Sequence, residues 1–151
     1  MSREINQAGL DLIKSFEGFK SKPYVDVAGK WTIGYGVHLY KDGTAVSKND
    51  PPIDEATASD LLEDLINNEY IPQVLSVVKV NLTDNQLAAT VSFTYNLGIG
   101  SLEQSTFLRC LNARNWEDAA NSMLLWNKAG GIEQPGLTRR RAAEKALFLT
   151  P

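Results

Sequence analysis

The chain has one cysteine and one histidine. A single cysteine cannot close an intrachain disulfide, and Cys110, set in the apolar run FLRCL, reads as a buried thiol rather than a reactive one. His38 stands alone and makes no metal-ligand pattern. No apolar run approaches the roughly 18 residues that cross a bilayer, so membrane insertion is not expected. The start, MSREINQAGLDLIKSF, lacks the basic head, apolar centre and small-residue cleavage site of a secretory signal. The expectation is synthesis in, and retention by, the cytoplasm of the producing cell, with any target beyond its membrane reached by a separate route. Internal repeats and low-complexity tracts are also missing.

What is present is an ordinary globular composition, 43% hydrophobic and 22% charged over 151 residues. A chain of that length buries roughly two thirds of its unfolded surface and is read as one domain over residues 1–151. The net charge of -3 hides an asymmetry: residues 1–108 carry 8 Lys/Arg and 14 Asp/Glu, residues 109–151 carry 7 and 4. The basic C-terminal part includes Arg139, Arg140 and Arg141. A basic patch attracts nucleic acid, anionic polymers and membrane surfaces alike. Consecutive helical residues point about 100° apart, so the three arginines form no continuous stripe, and nucleic acid is not expected as a partner. A solvated helix face is the plain alternative.

Apolar spacing predicts a first helix through Ile5, Leu10, Leu12, Ile13 and Phe16, capped by Asn6 and ended by Gly18, with Glu17 on its last turn. From Tyr24 to Tyr40 glycine, β-branched and aromatic residues predict a small antiparallel sheet, and TAVSKNDPPI (44–53) a loop. Asp54 caps a second helix, which Pro72 kinks or breaks. Thr83 and Gln86 form a capping box before LAATVSFTYNLG, apolar on nearly every side and hence the buried central helix. GIGS reads as flexible. A helix over 107–112, one capped by Asn115, a Gly130–Gly131 break and a final helix through RRRAAEKALFL follow. The class is α+β: a small antiparallel β lobe (17–53) and a larger helical lobe (80–151 plus the N-terminal helix), joined by a helix, with a cleft between them.

Glu17, Asp26 and Thr32 can meet at one mouth of that sheet if the chain doubles back after Gly18. Two carboxylates across a cleft are the minimum equipment for glycosidic cleavage, one held protonated and the other ionised. Phe16 and Phe19 beside Glu17 favour its neutral form, whereas Asp26 sits among polar turn groups. Turn chemistry accounts for the same residues equally well.

Further motifs bear on that choice. EGFKSKPYVD, TIGYG, FTYNLGIGSLEQSTFLRCLN, LLWNKAGG and PGLTRRRAAEKALF, in this order and spacing, resemble the phage-type lysozymes, or endolysins, of glycoside hydrolase family 24 over nearly the whole chain. The resemblance implies a lysozyme-like fold and a muramidase that cuts peptidoglycan between N-acetylmuramic acid and N-acetylglucosamine, causing host lysis. It implies Glu17 as general acid, Asp26 as the carboxylate acting on water and Thr32 as the hydroxyl positioning it, with no cofactor or metal. Arg140 would reach back to Glu17, and Tyr24, Tyr35 and Gly34 would support the cleft, while Phe93, Tyr95, Leu97, Trp116 and Trp126 read as core. A holin would open the route to the wall, and the enzyme would act as a monomer. A non-catalytic wall-binding module and a lytic transglycosylase are the competing readings. One departure stands out: many relatives place a histidine directly after TIGYG, and here Val37 intervenes before His38, which either takes the equivalent place after a one-residue shift or, the favoured reading, is a structural strand residue.

Overall fold

Helices start where the sequence supplies caps. In the computed structural model, which describes residues 3–151, α1 spans Gln7–Glu17, and the Asn6 side chain accepts a hydrogen bond from the Gly9 amide. Gly18, at φ 75°, ends the helix directly behind Glu17, a conformation glycine takes without strain. Gly9, Leu10 and Ile13 form its buried face.

The chain then reverses into a hairpin of β1 (Lys20–Val25) and β2 (Trp31–Gly34), in which Tyr24 pairs with Thr32 and Val25 with Trp31. The register slips between Lys20 and Tyr24, where Pro23 cannot donate to the ladder. The strand begins earlier than the apolar pattern suggested because KSKP alternates without apolar residues. Alternation then sorts the faces: Trp31 and Ile33 pack with Val37, Val46 and Leu61 in a small apolar cluster, and Tyr24 and Thr32 lie on the opposite face. Isolated bridges from Ile33 to Val37 and Leu39 to Ala45 extend the ribbon.

Asp54 caps α2 (Glu55–Leu65) through the Thr57 amide. Pro72 leaves the helix neither cut nor regular. The chain widens into a π-helical turn, Ile66–Tyr70, and runs on as α3 (Ile71–Val77) with Pro72 at its start. Proline lacks an N–H and crowds the carbonyl a turn before it, and the wider turn relieves both problems. This rod joins the two lobes.

The central helix α4 (Asp84–Leu97) carries the capping box between Thr83 and Gln86, and every residue from Leu87 to Thr94 is buried. The Thr90 and Thr94 hydroxyls donate to the carbonyls of Gln86 and Thr90 at 2.8 Å, so burial leaves neither unsatisfied. Around α4 the core stacks Phe93, Phe107 and Phe148, with ring centroids 5.1 and 5.6 Å apart. Each fully buried side chain of this kind contributes roughly 1.5–3 kcal/mol.

GIGS is not a flexible connection: Gly98 (φ 90°) turns the chain straight into α5 (Ile99–Gln104), and Leu102 anchors it in the core. Next comes α6 (Thr106–Asn112), capped by Ser105. Asn115 precedes α7 (Trp116–Met123) but its side chain caps nothing; its amide is engaged by the Cys110 carbonyl after a left-handed turn at Arg114 (φ 61°). Cys110 itself is half-buried, at the edge of the core rather than inside it. Gly130 and Gly131 form the tip of a short hairpin, β3 (Lys128–Ala129) and β4 (Ile132–Glu133), before α8 (Pro135–Phe148) closes against α4, α1 and α7.

Candidate active site

Glu17 stands at the seam of the two lobes because α1 packs on the helical lobe and ends there. Arg140 Nη1, from α8, donates to Glu17 Oε2 at 2.7 Å. The guanidinium is buried and held from behind: Nε meets Glu144 Oε2 at 3.3 Å, Nη2 donates to the Ser92 carbonyl at 3.2 Å, and the Phe16 ring lies 5.8 Å away. Its charge is therefore shared by two carboxylates, Glu17 and Glu144.

The arginine run is not a solvated face. Arg139 is exposed, but Arg140 and Arg141 are 3% and 0% exposed. Arg141 Nη2 donates to Asn96 Oδ1 at 2.7 Å, its guanidinium lies over Phe93 at 5.2 Å, and its Nε approaches Glu144 Oε1 to 2.8 Å. Ser92 Oγ donates to Glu144 Oε2 at 2.6 Å. Burial lowers Arg141 to about 10, while burial raises Glu144 and the two guanidiniums oppose that rise. Two cations around one buried anion leave a positive excess directed at Glu17.

Asp26 opens the β1–β2 turn and shows both of the chemistries its position allowed. Oδ1 accepts the amides of Ala28 and Lys30 at 2.9 Å each, the usual bonding of a turn aspartate. Oδ2 meets His38 Nε2 at 2.9 Å, so His38 is a partner of Asp26 rather than a strand residue of structural use only. The Lys30 amide is the main reason the Asp26 carboxyl lies below its ordinary value; partial burial opposes this, and His38 and the Ala28 amide add to it. Thr32 is buried, and its Oγ1 donates to the Lys30 carbonyl at 2.9 Å. As the cross-strand partner of Tyr24 it shares that residue's face.

The tyrosines divide differently from the sequence reading. Tyr24 adjoins both carboxylates: burial pushes its hydroxyl up, and the charges of Glu17 and Asp26 push the same way. Tyr35 is not a cleft wall. The positive φ angles of Gly34 (67°) and Gly36 (98°) on either side break the strand alternation, and Tyr35 turns into the core, its hydroxyl donating to Glu55 Oε2 at 2.8 Å. Tyr95 and Tyr70, with centroids 5.0 Å apart, take that place beside Glu17: burial raises both hydroxyls and the Glu17 charge raises them further. Tyr95 also donates to the Tyr35 carbonyl at 2.9 Å, tying the central helix to the β lobe. Gly34 supports packing, since a β-carbon there would lie 3.1 Å from that of Ala58. Gly36 is the glycine at the site: a β-carbon there would stand 3.1 Å from Tyr95 Oη and 3.4 Å from Glu17 Oε1. Tyr70, Gly36, Ser92 and Glu144 were not singled out in the sequence; the second glycine of TIGYG was the available signal for Gly36.

Beside Glu17 a cavity of about 540 Å³ opens on the helical lobe, lined by Ser15, Phe16, Asn96, Gln134, Leu137 and Arg139 among others. A second, of about 530 Å³, lies against α2 and α3 among Glu4, Asp60, Glu63 and Asp64 and includes none of the residues above. Glu17 and Arg140 line the first, whereas Asp26, Thr32 and Tyr24 are not part of its lining.

An α+β molecule of two lobes, with carboxylates from a helix end and a hairpin turn at their junction, is a lysozyme-like fold. The chain belongs to the phage lysozyme family, whose model matches residues 14–144. Solved structures agree: it is similar to a mutant P22 lysozyme (TM-score 0.88, 36% identity, 98% of this chain and 99% of that one). It is also similar to the muramidase domain of SpmX from Asticaccaulis excentricus (TM-score 0.85, 35% identity, 99% of each chain). It is 45% identical over 148 residues to an endolysin of Bacillus phage B103, covering 97% of this chain and 54% of that protein. The chain thus spans about half the length of that curated relative.

Proposed function

We propose that this chain is a muramidase of the endolysin type, hydrolysing peptidoglycan between N-acetylmuramic acid and N-acetylglucosamine. The observation that carries the reading is the contrast between its two carboxylates. Glu17 pairs at 2.7 Å with the Arg140 guanidinium, which Glu144 shares, and Gly36 leaves room beside it and the Tyr95 hydroxyl. Asp26 is held ionised by two amides and a histidine. Glu17 protonates the leaving oxygen, Asp26 draws a proton from the attacking water, and Thr32, whose hydroxyl both donates and accepts, positions that water. Tyr24 and Tyr95 keep their protons and serve as hydrogen-bonding walls.

Family membership supports hydrolysis over mere wall binding, and retention of Glu17, Asp26 and Thr32 supports it further. Among the described residues no helix is long and apolar enough to cross a membrane. A holin-type lesion is the proposed route from the host cytoplasm to the wall, and a monomer the proposed working form. The test uses purified peptidoglycan. The wild type solubilises it and releases reducing ends, which mass spectrometry distinguishes from the anhydro ends of a transglycosylase. Glu17→Gln lowers turnover at least about 1000-fold, within the range of a lost general acid and its proton transfer, with an unchanged melting curve. Substantial cleavage by that variant would mean that another group is the acid.

A further inference from the structure

The two oxygens of Asp26 are not equivalent. Oδ1 is committed to the amides of Ala28 and Lys30, at 2.9 Å each. Oδ2 takes no backbone amide, and His38 Nε2 stands 2.9 Å from it. The backbone explains why His38 is there. Ile33 bridges to Val37, which is buried in the small apolar cluster, so residue 38 points to the other side of the ribbon. The Val46 amide donates to the His38 carbonyl at 2.9 Å and fixes the strand. The residue inserted after TIGYG therefore delivers the chain's one imidazole to the carboxylate face of the hairpin.

We infer that His38 is a positioning residue for Asp26: its Nε2–H donates to Oδ2, fixes the plane of the carboxylate and leaves one lone pair of that oxygen aimed at the attacking water. This rests on the reading of Asp26 as the water-directing carboxylate. Donation requires the proton on Nε2, as in that neutral tautomer or in the imidazolium, and an ionised acceptor, which Asp26 is above its depressed titration. Among the described residues no other side chain hydrogen-bonds to the Asp26 carboxylate. The titratable neighbour of the pair is Tyr24, which stays protonated because burial and the charges of Glu17 and Asp26 raise it. His38 keeps 42% of its side chain accessible, so its replacement spares the core.

The test compares His38→Ala, His38→Gln and Asp26→Asn on soluble peptidoglycan fragments. His38→Ala lowers kcat about tenfold, the loss of one charge-assisted hydrogen bond, with KM changed by less than about twofold and the melting temperature held. The acidic limb of its pH–rate profile moves to higher pH, because one influence that keeps Asp26 ionised is gone. His38→Gln, whose amide donates from a similar reach, recovers most of kcat. If His38→Ala matches the wild type in kcat and in that limb while Asp26→Asn abolishes cleavage, the inference fails and the proposed function stands. A loss in His38→Ala that tracks a lower melting temperature, or that His38→Gln does not recover, overturns positioning in favour of structural support. Full activity of Asp26→Asn would instead remove Asp26 from the mechanism.

Discussion

Gly36 carries no side chain because the site leaves no room for one. Its φ of 98° strains any other residue, and a methyl would press on Tyr95 Oη at 3.1 Å and Glu17 Oε1 at 3.4 Å. Gly36→Ala is expected to destabilise the fold by about 1–3 kcal/mol and to lower kcat by displacing the acid, measured by thermal melting alongside turnover. Arg140 poses the opposite problem, a large group that the site is built around. Arg140→Ala leaves Glu144 with one guanidinium fewer, and breaking a buried pair costs about 3–5 kcal/mol. In the variant that still folds, the alkaline limb of the pH–rate profile moves to higher pH, since losing a cation favours the protonated acid. An unmoved limb would separate Arg140 from the proton transfer.

Helix ends were the most legible elements because capping is local. Asn6, Asp54 and the Thr83–Gln86 box each bond within three residues of the chain, and all three appear as their sequence implied. Thr83→Ala should cost about 1 kcal/mol and lower the melting temperature by about 2–4 °C, as calorimetry would show. Elements fixed by distant contacts were harder to read. The helix at Ile99–Gln104 is short, preceded by Gly98 and carrying Gly100 within it, and the burial of Leu102 in the core decides it. Asn115 has the right side chain for a cap, yet the left-handed turn at Arg114 and the bond to the Cys110 carbonyl set its geometry instead. Pro72 signalled trouble correctly, but the remedy, a π turn within a continuing rod, depends on the lobes it must connect.

At the scale of the molecule, charge ties stability to pH. Asp26, Asp42, Asp54 and Glu55 all lie below their ordinary values, held by the Lys30 amide, Thr44, Thr57 and Lys14 respectively. Each binds fewer protons folded than unfolded, so its stabilisation is present above about pH 4 and is lost as pH falls through the depressed folded values. Glu144, raised by burial, has the opposite sign: its contribution belongs to acid and is lost as pH rises through its elevated value. Four against one predicts a melting temperature that falls steadily below about pH 4; a flat profile between pH 5 and pH 2 by circular dichroism would contradict it. The sequence alone determined the α+β class, the caps, the buried central helix and the order of Glu17, Asp26 and Thr32, because these rest on periodicity, local hydrogen bonding and family motifs. Only the tertiary structure decided that Tyr35 is core and Tyr95 faces the acid, that Arg141 is buried with Glu144, and that His38 meets Asp26. Those outcomes depend on which faces the two lobes present to one another, and no spacing along a single chain encodes that.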